Sequence, residues 1–271
     1  MHRKRLLTAL VLSPVLVIGL NWGGEFFFNL LLGGLTAICL FEYFLMTFKD
    51  SFFFRSFGIF LGLIPIFLAI FKKDVVYILF SIFLILLFSF IFILFFYANF
   101  KDPFTALLKF VFGAIYIGTS SGFICLIRYM HLGLYWIFFL LLVIFAADAG
   151  AYYAGTLMGK RKLCPSISKG KTVEGTIGGI ISGVFASIVS WLLFFNFFDF
   201  RLLASLAIFL TIVSQIGDLA ESVIKRACGV KDSGSLLPGH GGVFDRMDSI
   251  LLAGSALFWI LYFSNGDFSI G

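Results

Sequence analysis

Residues 77–96, YILFSIFLILLFSFIFILFF, contain no charged position, and two serines are the only breaks in an otherwise apolar run. Such a stretch offers water no face, whichever way it winds. In lipid there is no water to pair with exposed backbone N–H and C=O groups, so only helices and closed barrels can cross. Barrel strands alternate apolar and polar residues with a period of two, and this run is apolar on every side, so it reads as a membrane helix. A hydrocarbon core about 30 Å thick needs roughly 20 such residues. By that ruler the chain is expected to hold nine spans, at 6–22, 26–47, 56–71, 75–98, 104–127, 132–157, 174–195, 202–224 and 249–263. The expected fold class is therefore all-α, a polytopic integral membrane protein of about nine transmembrane helices. Composition agrees: 61% of residues are hydrophobic, 13% are charged and 39 are Phe, far from the balance of a soluble domain.

Charge placement orients the chain. With MHRKR in the cytoplasm and nine crossings, fifteen Lys and Arg fall in internal segments, against Lys72, Lys73, Arg128 and Arg201 outside. That asymmetry follows the positive-inside rule and predicts a cytoplasmic N-terminus and an external C-terminus. The net charge of +6 is then explained by topology and by anionic inner-leaflet lipid, so no nucleic-acid partner is expected. The opening LLTALVLSPVLVIGLNWGGEFFF lacks a small-x-small cleavage site and runs directly into a second span. It is read as a retained anchor helix. Cys39, Cys125, Cys164 and Cys228 have no metal-like spacing and are read as structural or incidental.

Polar residues are unevenly distributed. Residues 1–131, with five spans, read as a scaffold; Glu42 and Lys109 lie near inner helix ends, from which they can reach the interface. Residues 132–271, with four spans, carry long internal loops at 158–173 and 225–248, and the helices entering those loops carry acids. Loops of this length are commonly functional, and the two are expected on the same, cytoplasmic face. The site is placed between them.

On the eighth span Ser214, Asp218, Glu221 and Lys225 recur at intervals of four, three and four, which puts them on one helical stripe. An Asp at a helix centre costs about 2.5–3.5 kcal/mol in lipid, so the stripe must meet partners, water or an ion. A Glu221–Lys225 pair could neutralise part of it but leaves Asp218 without a cation. The ninth span opens with Asp245, Asp248 and Ser249 on one face, where N-capping accounts for one acid. Oxygen ligands drawn from separate elements suit Mg²⁺, which binds through one or two carboxylates plus substrate phosphates. Between the two helices lies PGHGG, residues 238–242. Its glycines let backbone N–H groups approach a phosphate, and the helix start that follows adds positive potential. With Lys225, Arg226, Lys231 and Arg246 close in sequence, the ensemble suits a metal-bound polyphosphate. The earlier loop, GKRKLCPSISKGKTVEG, carries Lys169, Lys171 and Thr172 ahead of Glu174 at a helix start. Thr172 could serve there as a cap or as a ligand.

These residues resemble the phosphatidate cytidylyltransferase (CDP-diacylglycerol synthase) family. Its signature S-x-x-K-R, K-D, H-G-G-x-x-D-R-x-D is met by Ser222, Lys225 and Arg226, by Lys231 and Asp232, and by His240, Gly241, Gly242, Asp245, Arg246 and Asp248. Asp148 with Ala151–Tyr152, and the GKTVEG stretch, extend the likeness over 148–249. The family's S-P-K-K-T-W-E-G loop differs here at Lys169, Gly170 and Val173, while Lys171, Thr172, Glu174 and Gly175 align. The resemblance implies transfer of the CMP moiety of CTP to phosphatidic acid, giving CDP-diacylglycerol and pyrophosphate. It implies metal ligands among Asp218, Asp245, Asp248, Asp148 and Glu221, with two cations of which the second could be monovalent. Lys225, Lys231 and Arg246 would hold phosphates. Ser222, Arg226, Asp232, His240, Gly241, Gly242, Lys171, Thr172 and Glu174 would contact substrate. The attacking lipid phosphate is already ionised at neutral pH, so no strong general base is required. The implied setting is a cell membrane, with the site facing the cytoplasm and homodimerisation left open. Two other readings stand beside it. One is a CTP-dependent polyprenol or phytol kinase; the other is an ion-coupled transporter, which would place its acids at mid-membrane in two repeated halves.

Overall fold

The computed structural model describes residues 19, 21, 23–234 and 241–264, and among these it is all-α apart from one small hairpin. Eight helices are long and apolar enough to cross a membrane: α1 (Gly24–Thr47), α2 (Phe52–Lys72), α3 (Val75–Phe95), α4 (Pro103–Tyr129), α5 (Gly133–Met158), α6 (Val173–Phe194), α7 (Phe200–Ala227) and α8 (Phe244–Phe263). They correspond to the second through ninth predicted spans. The first predicted span, the basic N-terminal cluster and His240 lie outside the described residues. The last helix starts at Phe244 rather than at 249, which brings Asp245 and Asp248 into its first two turns. The 158–173 segment is not an open loop: Lys162–Cys164 (β1) pairs antiparallel with Ser168–Thr172 (β2).

The chain divides into two compact units, Met1–Tyr129 with Asp232–Met247, and Met130–Lys231 with Asp248–Gly271. In the first unit, local polar residues start the helices. The Ser51 hydroxyl accepts from Phe54 N–H at 3.2 Å, Asp74 from Val76 N–H at 2.9 Å and Asp102 from Thr105 N–H at 3.1 Å, each satisfying one orphan donor of a helix start. The core is largely aromatic. Phe57 stacks on Phe92 at 3.7 Å and Phe48 on Phe110 at 4.5 Å between ring centroids. Glycines bring backbones close, and a Cβ on Gly118 would strike the Gly62 carbonyl. Gly118 lies in a π-helical stretch of α4, Ala114–Thr119.

In the second unit α5 and α6 pack through small residues. A Cβ on Gly150 would collide with Ser182, one on Gly178 with Ala154, and one on Gly175 would lie 2.8 Å from the Ala151 carbonyl. Without a hydrophobic drive between helices in lipid, close backbone approach of this kind supplies the van der Waals contact. The hairpin leads directly into α6, whose first turn is capped by the Thr172 hydroxyl, accepting from Gly175 N–H at 3.0 Å. At the far end Trp136, Phe195 and Phe198 form an aromatic cluster. Large side chains such as Phe26, Phe95 and Leu157 remain exposed, as lipid contact allows and water would not.

Candidate functional site

The second unit contains the carboxylate cluster. Asp218 and Glu221 project from the polar stripe of α7 and Asp248 from the second turn of α8, with one oxygen of each lying within 4.8 Å of the others. Glu221 is fully buried and Asp248 is 6% exposed. Two cations meet them. The Lys171 ammonium, at the end of β2, lies 2.8 Å from the Asp218 carboxylate and donates to the Gln215 carbonyl at 3.3 Å. Lys225 pairs with Glu221 one turn along α7. The cation that α7 lacks for Asp218 therefore comes from the hairpin. Asp148, on α5, adds its charge to the field at Asp248. Glu221 and Asp248 are buried, and holding buried carboxylates this close together is costly unless cations lie among them.

Hard oxygen donors of this kind suit Mg²⁺ or Ca²⁺. A six-coordinate magnesium ion spans about 4.2 Å between opposite ligands. Adjacent ligands of such an ion lie about 3 Å apart, so carboxylate oxygens already within 4.8 Å of one another are of the right chemistry and near enough to converge on one ion by side-chain adjustment, and the donor set fits.

Other predicted residues of this unit are also placed. Ser222 is buried beside Glu221 on α7. Arg226 donates to the Val230 carbonyl at 3.1 Å and to the Ile167 carbonyl at 3.4 Å, tying the hairpin tip to the end of α7. The Glu174 carboxylate accepts the Arg161 N–H at 3.2 Å and so closes the base of the hairpin, while Thr172 is occupied with the cap of α6. Lys231 is exposed.

The first unit contains the rest of the signature. Asp245 Oδ2 accepts from Gly242 N–H at 2.8 Å, and from the N–H and hydroxyl of Ser233, each at 3.0 Å. Gly241 has φ +80°, a left-handed conformation that favours glycine. Asp232 and Arg246 are exposed.

Sequence reasoning misread Glu42. Its carboxylate does not reach out to solvent but is 1% exposed, with Oε1 accepting from Val243 N–H at 3.1 Å and Oε2 lying 2.9 Å from both Phe244 N–H and the Ser233 hydroxyl. A signal was present, since an ionisable residue inside an apolar span is functional by default. Ser233 and Gln215 had none.

The chain is 43% identical over 149 residues to the phosphatidate cytidylyltransferase of Bacillus subtilis, a match covering 55% of each chain. It is 46% identical over 140 residues to that of Staphylococcus saprophyticus, covering 50% of this chain and 52% of the relative. It is 51% identical over 121 residues to that of Staphylococcus haemolyticus, covering 44% and 46%. The chain thus spans about half the length of the curated relatives it matches. The family model for cytidylyltransferases matches residues 3–264, nearly the whole sequence, and the chain therefore belongs to the cytidylyltransferase family.

Proposed function

We propose that the protein transfers the CMP moiety of CTP to phosphatidic acid. A phosphate oxygen of the lipid attacks the α-phosphorus of CTP, the bond from that phosphorus to the bridging oxygen breaks, and pyrophosphate leaves with the bond's electron pair. The observation that carries this reading is the gathering of Asp218, Glu221 and Asp248 with Lys171 and Lys225 in a chain whose residues 3–264 match the cytidylyltransferase family. Two anions must meet in this reaction, so its main requirements are charge compensation and alignment rather than a base. Mg²⁺ held by Asp218, Glu221 and Asp248 would supply charge neutralisation at the nucleotide phosphates. The Lys171 ammonium has three donors and directs two to Asp218 and Gln215, so it can hold a phosphate oxygen without giving up its carboxylate, and Lys225 brings a second positive charge beside Glu221. Lys231, exposed in the same unit as the cluster, provides a further cation for the triphosphate, and Arg246 is assigned to phosphate by the family resemblance alone. Asp245, through its hold on Gly242 and Ser233, fixes the glycine turn, and the Gly242 N–H expected to face a phosphate is instead taken by that carboxylate.

The site faces the cytoplasm of the cell membrane in this reading, where CTP is dissolved, and the lipid enters sideways from the bilayer. The N-terminus is then cytoplasmic and the C-terminus external. The test is incubation of purified protein with α-³²P-CTP, phosphatidate and Mg²⁺. Label entering the lipid with equimolar pyrophosphate supports the reading. Label recovered in CDP would instead identify a lipid kinase, and nucleotide-independent ion uptake by proteoliposomes would identify a transporter.

A further inference from the structure

Glu42 lies in the last two turns of α1, and its carboxylate is buried in the first unit. A buried carboxylate in a membrane helix is expensive and persists only where donors surround it. The donors here are unusual in origin. Val243 and Phe244 N–H belong to the start of α8, where the first N–H groups have no partner within the helix. A neighbouring Ser, Asp or Thr ordinarily caps them, as at Ser51, Asp74 and Asp102. In α8 the cap comes from a residue 201 and 202 positions away. Negative charge at that end is also favoured by the helix dipole.

The clamp extends beyond the cap. Glu42 Oε2 and Asp245 Oδ2 both lie within hydrogen-bonding distance of the Ser233 hydroxyl, at 2.9 and 3.0 Å, so its one proton can be given to either carboxylate, while the Ser233 N–H is held by Asp245. A Cβ on either Gly234 or Gly242 would collide with the Glu42 carboxylate, so the backbone passes directly over it at both points. Phe244 sits edge-on between the rings of Tyr43 and Tyr116, at 6.4 and 6.2 Å. Both ends of the signature loop, before and after the undescribed 235–240, are therefore fastened to one acid of α1.

We infer that Glu42 is a positioning residue for the nucleotide-binding loop: it fixes residues 233–234 and 241–245 so that Gly241, Gly242 and Asp245 are set before substrate arrives. What the loop binds rests on the reaction proposed above; the clamp itself does not. This gives the first helices a part in the site beyond spanning the bilayer.

The test uses the full-length protein in detergent. Glu42→Gln keeps the shape but replaces one acceptor oxygen with a donor, so at least one of the Val243 and Phe244 N–H groups loses its partner. Hydrogen–deuterium exchange of the 241–247 amides is expected to accelerate about tenfold or more, from loss of a charge-assisted bond, while the rest of the protein keeps its protection. In kinetics, KM for CTP should rise about tenfold or more, and KM for phosphatidate should stay within about twofold. Glu42→Asp, which keeps the charge but falls short by one methylene, should lie between the two. Ser233→Ala should shift exchange in the same direction by a smaller factor, and serves if Glu42→Gln does not fold. Unchanged exchange at 241–247, acceleration spread over the whole chain, or equal rises in both KM values would overturn the inference. Should wild-type protein transfer no label, the reaction assignment falls, and the exchange measurement still decides the clamp.

Discussion

Replacing Lys171 with methionine separates a structural ion pair from a group that acts on substrate. The Lys171–Asp218 contact is 2.8 Å long, and the two side chains are 21% and 38% exposed. Coulomb's law brackets the bare attraction at that distance between about 1.5 and 6 kcal/mol for effective permittivities of 80 and 20. Solvation and side-chain ordering remove most of this at such exposure, leaving about 1 kcal/mol or less. A purely structural pair could then cost no more than about a fivefold loss of function, and about 2–4 °C in thermal midpoint. Loss of a cation aimed at charge developing in the transition state costs about 10²- to 10³-fold. The expected result for Lys171→Met is a fall in kcat/KM of about 100-fold or more, with the thermal midpoint nearly unchanged. The assay is initial-rate transfer of α-³²P from CTP to phosphatidate, with thermal unfolding measured on the same preparations. Lys169→Ala is the control: that side chain is exposed on the same strand and should cost less than about twofold. A Lys171→Met enzyme within tenfold of wild type would refute the reasoning and reduce Lys171 to a counterion.

Lys225→Met leaves the fully buried Glu221 without that cation and should destabilise the protein by about 3–5 kcal/mol, seen as a large drop in thermal midpoint. Adding Glu221→Gln should restore most of it, and an unshifted midpoint in the single variant would show that the pair does not stabilise Glu221. Asp248→Asn removes one of three gathered carboxylates and should weaken divalent-ion affinity by at least the 10- to 100-fold that a supporting residue of a metal site is worth. Mn²⁺ titration followed by paramagnetic resonance without substrate measures it, and equal affinity removes Asp248 from the ligand set. Gly118→Ala drives a methyl against the Gly62 carbonyl, which backbone cannot easily yield. It should cost about 1–3 kcal/mol, whereas Gly33→Ala, where a Cβ meets nothing within 4 Å, should be tolerated; equal midpoints for the two would contradict the packing.

The site was partly legible in the chain because some of its geometry is local. Asp218, Glu221 and Lys225 share a stripe of α7 through helical periodicity alone, and the Glu221–Lys225 pair is a four-residue contact. Asp245 and Asp248 are one turn apart for the same reason. Glu42 was legible only as an anomaly. An acid near a helix end can snorkel or be capped over, and nothing within four residues distinguishes the two. The hairpin at 162–172 was obscured because lysines and glycines write the same pattern for an open loop and for a short exposed ladder.

Hydropathy and residue periodicity were enough to establish from the sequence an all-α membrane protein, the spans that become α1 to α8, and the stripe of α7 that avoids lipid, since each depends on neighbours within a few turns. The tertiary structure alone decided that Lys171 neutralises Asp218 across 47 positions of chain, and that Glu42 caps a helix starting 202 positions later. Charges brought together by packing have partners that no local pattern can specify, because the cost of burying them is met by whichever donor the fold brings within 3 Å.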